Sequence, residues 1–177
     1  MNNKNSVLLH ICCGICAIES INQLKQKNYK IVGFYYNPNI YPEEEFLRRK
    51  KVVEEISKTF NIEIIYGDYE PQIWFEICQR YKDEPEGGKR CELCYKLRLE
   101  KTYNLLKEYK FDFFTTTLTI SPYKNSKKIF EIGKKIDNEK LLKIDFKKND
   151  GFKKTIQTAK QYKFYIQNYC GCIYSKK

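Results

Sequence analysis

Short apolar runs alternate along the chain with longer stretches in which apolar residues recur at helical spacing. Residues 6–11, Ser-Val-Leu-Leu-His-Ile, read as a buried first strand, and Ala17, Ile21 and Leu24 then mark a helix. Residues 30–36 form a second strand ending at Asn37-Pro38-Asn39, where proline stops the ladder and begins a loop. Pro42 with Glu43, Glu44 and Glu45 opens a helix, the acids lying against the positive end of its dipole, with Phe46, Val53, Ile56 and Phe60 as its apolar stripe. Residues 62–66 are a third strand, and Gly67-Asp68 a turn. From Pro71, a helix carries Trp74, Ile77, Cys78 and Tyr81 on one face. The polar stretch 83–90 with Gly87-Gly88 leads to a long helix opened by Cys91 and striped by Tyr95, Leu99, Tyr103 and Leu106.

Residues 111–117 form a fourth strand, and the loop 118–125 precedes a helix to Ile136. Residues 141–144 read as a short fifth strand, and residues 152–162 as a last helix. Strand-helix alternation of this kind predicts one α/β domain over residues 1–177, a mostly parallel five-stranded sheet with helices on both faces. Its 177 residues, 42% hydrophobic, suffice for one core.

The formal net charge of +11 invites a polyanionic partner. The excess is mostly lysine, as a composition rich in Asn, Ile and Tyr would also produce, so charge alone does not decide. The forked guanidinium of arginine suits phosphate better, and Arg48, Arg49, Arg90 and Arg98 all lie near motif segments. Neither a leader-like apolar stretch nor a run of about 20 apolar residues is present, so the expected setting is cytoplasmic and away from membranes. In such a reducing compartment, the eight cysteines should bind metal or carry redox chemistry rather than form structural disulfides.

Cys12, Cys13 and Cys16 stand between a strand end and a helix start, where free N–H groups and the helix dipole favour thiolate. Cys91 and Cys94 face the same way in a first helical turn, and Cys170 and Cys172 form a third group. Cys78 falls on an apolar stripe and reads as structural, while His10, the chain's one histidine, reads as an oriented or core residue. Four thiols satisfy a zinc or a [4Fe–4S] cluster, so seven leave three for a second metal with an open, Lewis-acidic position. Disulfide redox at Cys91 and Cys94 leaves the third group unused, whereas a zinc-stabilised RNA-binding module accounts for both cysteines and charge. In the loop 118–125, Asn125 or Ser126 caps the next helix, or the loop contacts substrate phosphate; composition supports either.

Five segments together resemble the QueH-type epoxyqueuosine reductase family: Leu8-Leu-His-Ile-Cys-Cys13, Phe34-Tyr-Tyr-Asn-Pro-Asn-Ile-Tyr-Pro42, Cys91-Glu-Leu-Cys-Tyr-Lys-Leu-Arg-Leu99, Thr116-Thr-Leu-Thr-Ile-Ser-Pro-Tyr-Lys-Asn125 and Tyr169-Cys-Gly-Cys172. The resemblance implies a Rossmann-like, nucleotide-hydrolase fold related to the PP-loop ATPases, with cysteines replacing the phosphate loop. It also implies a [4Fe–4S] cluster with an adjacent mononuclear iron, and a tRNA substrate carrying epoxyqueuosine at the wobble position. The implied reaction removes the epoxide oxygen, with electrons from an external low-potential donor, in the last step of queuosine biosynthesis.

Carried residue by residue, the implied metal ligands are Cys12, Cys13, Cys16, Cys91, Cys94, Cys170 and Cys172, not partitioned between cluster and iron. Cys12, Cys13 and Tyr123 become the catalytic candidates, and Asn37, Asn39, Tyr123, Lys124 and Asn125 the candidates for holding base and phosphate. Tyr36, Tyr41 and Tyr123 are candidates for stacking or proton delivery. Cys12-Cys13-Gly14 is also similar to the signature of heterodisulfide-reductase modules, but the further cysteines of that pattern are missing. A tRNA-thiolating enzyme would want the ATP loop that this chain lacks.

Overall fold

The computed structural model describes residues 4–175, so residues 1–3, part of the stretch without leader-like character, lie outside the described residues. Its four strands are β1 (Ser6–His10), β2 (Lys30–Tyr35), β3 (Glu63–Tyr66) and β4 (Phe113–Thr116), in the order β3-β2-β1-β4 and all parallel. The connecting helices are α1 (Gly14–Gln26), α2 (Glu43–Phe60), α3 (Pro71–Cys78), α4 (Lys89–Tyr109), α5 (Ser126–Ile136) and α6 (Gly151–Gln161).

Both faces of the sheet are covered, which explains why β1 is apolar at successive positions rather than at alternate ones. Val7 and Leu9 point to one core with Ile18 and Ile21 of α1, Val53 and Ile56 of α2, and Ala159 of α6. Leu8 points to the other, with Tyr95, Leu99 and Leu106 of α4, Phe114 of β4 and Ile129 of α5. Gly14 permits close approach of α1 to α2, because a Cβ there would stand 3.1 Å from the backbone carbon of Val52.

The expected fifth strand is a correction: the sheet has four strands. Residues 141–144 touch β4 through one isolated parallel bridge, Phe114 to Leu141, closed by Phe114 N–H to Lys140 O (3.0 Å) and Leu142 N–H to Phe114 O (2.9 Å). Beyond it the chain bends on itself, Ile144 N–H bonding Leu142 O. The carbonyls of Leu142 and Ile144 are then taken by the hydroxyls of Thr115 and Thr119 (2.9 Å each) instead of a neighbouring backbone. Four residues, three of them apolar, are enough to suggest a strand but too few to continue a ladder.

Because all strands run the same way, their carboxyl ends share one edge. The strand order places β2 and β3 on one side of β1 and β4 on the other, so the connections reverse between β1 and β4. Crevices at such reversals are where open α/β sheets hold ligands.

Candidate metal centre

At that reversal, Cys12 follows β1 and Thr117 follows β4. The Thr117 hydroxyl accepts from Cys12 N–H (3.0 Å) and donates to Cys12 Sγ (3.2 Å), tying the sulfur to the edge of the sheet. Cys13 is the N-cap of α1, its sulfur accepting from Cys16 N–H at 3.3 Å. The sulfurs of Cys12, Cys13 and Cys16 all lie within 4.8 Å of one another. Cys13 and Cys16 are joined as a disulfide, so ligation of metal by this pair requires its reduction.

The other two groups arrive by different routes. Cys91 lies in the first turn of α4, where its sulfur accepts from Gly87 N–H at 3.2 Å, and Cys94 follows one turn later. The segment bearing Cys170 and Cys172 is held by Tyr41 N–H to Gly171 O (2.9 Å), Arg49 Nη2 to Tyr169 O (3.0 Å) and Asn39 Nδ2 to Cys170 O (3.5 Å). Gly171 has φ +101°, a backbone shape that side chains resist, and its hydrogens pack against Ile40. All seven of these cysteines, separated by as many as 160 positions, line one cavity of about 580 Å³. Cys78 is fully buried outside that lining; burial pushes its thiol up to about 12, and its S–H faces Arg90 O at 3.8 Å.

The electrostatics favour bound thiolate. Arg49, Arg90 and Arg98 are all buried in the cavity wall. Arg49 is paired with Glu45 at 2.7 Å, but among the described residues neither Arg90 nor Arg98 has a carboxylate partner. Arg98 gives Nε to Cys94 O (3.2 Å) and Nη1 to Asn37 Oδ1 (3.3 Å), and the charges that stabilise its cation are Cys94, Cys12, Tyr95 and Cys170. Uncompensated buried charge costs several kcal/mol, so these guanidinium groups call for anionic sulfur. Within the Cys170–Cys172 pair, the hydrogen bond from Cys172 holds Cys170 well below the ordinary thiol range, assisted by Lys124 and Ser175, while Cys172 is pushed up. Burial raises Cys94, partly offset by Arg98. Thiolate donors suit zinc or iron-sulfur groups rather than magnesium or calcium, which want oxygen, and Glu86 is the one carboxylate of the cavity wall.

The polar candidates divide. Tyr123, 78% exposed, Lys124 and Asn39 line the cavity. Asn37 is fully buried beneath it, donating Nδ2 to Ile11 O (2.8 Å) and accepting from Arg98. Asn125 caps α5, accepting from the N–H groups of Lys127 (3.0 Å) and Lys128 (3.3 Å). Tyr36 is buried against Phe34, whereas Tyr41 is partly exposed; neither lines the cavity. His10 sits in the core with Nδ1 2.9 Å from Thr116 Oγ1 and Nε2 3.1 Å from Tyr36 O. Burial, aided by Arg98, pushes its pKa to about 3, so it is neutral and donates through Nε2 to the carbonyl.

The sequence reading missed Trp74, whose apolar spacing hides its place on the cavity wall, and noted the arginines only as phosphate binders. A signal existed: Arg90 adjoins Cys91, and Arg98 lies one helical turn beyond Cys94.

The family profile described as epoxyqueuosine reductase QueH matches residues 7–177. This chain belongs to the QueH family. QueH epoxyqueuosine reductases from Streptococcus pyogenes serotype M1 and Staphylococcus epidermidis are 36% and 37% identical to it, over 98% and 97% of this chain and 71% and 76% of theirs. The QueH protein of Thermotoga maritima is 34% identical over 96% of this chain and 90% of its own. Membership makes the chain an oxidoreductase. Among solved structures, a predicted subunit of tRNA methyltransferase from Methanocaldococcus jannaschii superposes with TM-score 0.60 at 16% identity, over 88% of this chain and 74% of that one. The U34-tRNA thiolase NcsA of Methanococcus maripaludis, solved with its [4Fe-4S] cluster, gives 0.55 at 14% identity, over 99% and 61%. These two likenesses establish shared fold alone. No helix among the described residues is long and apolar enough to cross a membrane.

Proposed function

We propose that this QueH-family chain removes the epoxide oxygen of epoxyqueuosine at the wobble position of tRNA, two electrons and two protons giving queuosine and water. The observation that carries this reading is the meeting of seven sulfurs from three distant segments around one cavity, with buried cations in its wall. We assign Cys12, Cys13, Cys16, Cys91, Cys94, Cys170 and Cys172 as the donor set for a [4Fe–4S] cluster and an adjacent single iron. The cluster carried by the distantly similar NcsA is compatible with that assignment. When bound, such a group supplies single electrons, received from an external low-potential donor, and a Lewis-acidic metal.

The chain's own residues do the rest. Cys12 and Cys13, at the reversal of the sheet, are the donors of this set that we assign to catalysis. Arg98 balances the negative charge of the thiolates from below, and Asn37 fixes its orientation. Tyr123, exposed at the cavity, offers a ring for base stacking and a hydroxyl for proton delivery, while Lys124 supplies positive charge for phosphate. Asn39 presents a buried amide oxygen without a protein partner, suited to a donor on the base. Asn125 acts by capping the helix that carries this loop forward.

The test is anaerobic turnover with a strong reductant and tRNA bearing epoxyqueuosine, followed by nucleoside mass analysis. Loss of one oxygen mass is expected; unchanged mass with iron-replete protein overturns the reading. Colourless protein holding zinc and no iron would favour an RNA-binding role instead.

A further inference from the structure

Four buried side-chain polar atoms among the described residues lack a hydrogen-bond partner: Asn39 Oδ1, Trp74 Nε1, Arg90 Nε and Thr155 Oγ1. Asn39, Trp74 and Arg90 all line the cysteine cavity. Two of the three are donors, Trp74 N–H and Arg90 Nε–H, and together they point to an acceptor that the polypeptide does not itself provide, because a buried donor left unsatisfied costs about 1–3 kcal/mol.

Trp74 is the sharpest of these. It is 1% exposed and packs in one cluster with Cys78, Cys94 and Cys172. Its N–H has no hydrogen-bond partner among the described residues, and Cys94 and Cys172 are the cavity sulfurs packed in its cluster. The ring is clamped by neighbours: Tyr174 stacks on it with centroids 5.9 Å apart, and Phe75 meets it edge-on at 5.3 Å. Arg90 lies over the opposite partner of that stack, its guanidinium carbon 5.5 Å from the Tyr174 ring centre. A purely space-filling role at this position would be met by phenylalanine or leucine, with no buried N–H to satisfy.

We propose that Trp74 is a fixed N–H···S hydrogen-bond donor to the metal centre, on its Cys94–Cys172 side, and that it raises the reduction potential of the bound cluster. This inference rests on the iron-sulfur reading above. Its physics is direct: an added electron makes the sulfurs more negative and better acceptors, so a preset donor stabilises the reduced state more than the oxidised one. Trp74 thereby makes the centre easier for a donor to reduce without being a ligand.

The chain has one tryptophan, so indole-15N labelling reports Trp74 alone. Pulsed EPR of the reduced, reconstituted full-length protein should show a 15N hyperfine coupling; its absence overturns the proposal. In a second arm, Trp74 is replaced by benzothienylalanine, which keeps the ring shape and loses the N–H. At a fixed potential near the midpoint, the reduced-to-oxidised ratio should fall about tenfold, equivalent to about 59 mV for one electron. An unchanged ratio at equal iron and sulfide content overturns the proposal. Wild-type protein that binds no iron-sulfur group overturns the underlying reading as well, and iron and sulfide analysis separates that outcome from the other two.

Discussion

Gly171→Ala is expected to release the segment that carries two of the seven sulfurs. Alanine at φ +101° costs about 1–3 kcal/mol in backbone strain. Its Cβ would also stand 2.8 Å from Ile40 Cγ1 and 3.1 Å from Arg49 Nη1, adding about 1–3 kcal/mol of overpacking. A combined cost near 3 kcal/mol corresponds to opening on the order of 100-fold more often. Native-state hydrogen exchange reads this locally: the amides of Tyr41, bonded to Gly171 O, and Ser175, bonded to Cys172 O, should exchange about 100-fold faster. The β1 amides should keep their protection. Gly87→Ala is the comparison, since Gly87 has φ +85° but nothing within 4 Å of a Cβ, so it carries the strain without the collision. Wild-type protection at Tyr41 and Ser175 in Gly171→Ala would refute the claim that this glycine seats the segment.

Cys78→Ala should leave iron and acid-labile sulfide per chain close to wild type, at a cost of about 1 kcal/mol for the small void, whereas Cys91→Ala or Cys172→Ala should lower both; equal losses in all three would undo the division between structural and cavity thiols. At the other end of the sheet, the Asp112 carboxylate accepts from Ser6 N–H and Oγ–H, both at 2.7 Å, and these bonds hold its pKa below the ordinary aspartate range. A lowered carboxyl stabilises the fold above its unfolded pKa of about 4 and loses that contribution as pH falls through the folded value. Denaturant titrations should therefore show wild type more stable than Asp112→Asn at neutral pH, with the gap closing in acid. A gap independent of pH would refute this account.

The strand-helix alternation and the positions of two cysteine groups, Cys12-Cys13-Cys16 at a strand end and Cys91-Cys94 at a helix start, were legible because both follow from local spacing. The run 141–144 was not, since Leu-Leu-Lys-Ile looks alike whether it builds a ladder or makes one bridge and turns away. Asn37 and Asn125 showed as polar loop residues; only the packing reveals that one amide turns inward to Arg98 and Ile11 and the other caps α5. Trp74 is the hardest case, because helical periodicity records that a residue is buried and says nothing of what its polar edge faces. The arginines were visible near the motifs, but that Arg90 and Arg98, unlike Arg48 and Arg49, lack a carboxylate partner among the described residues is a property of tertiary structure.

The cysteines of the cavity wall come from three stretches of polypeptide, the last of them carrying Cys170 and Cys172. A ribosome that has translated only as far as α6 has emitted five of those sulfurs and neither of the final two. Metallation of the full set therefore cannot begin with the first sulfurs made: it must wait until residue 172 has been added and its segment has folded back onto α2 and α4.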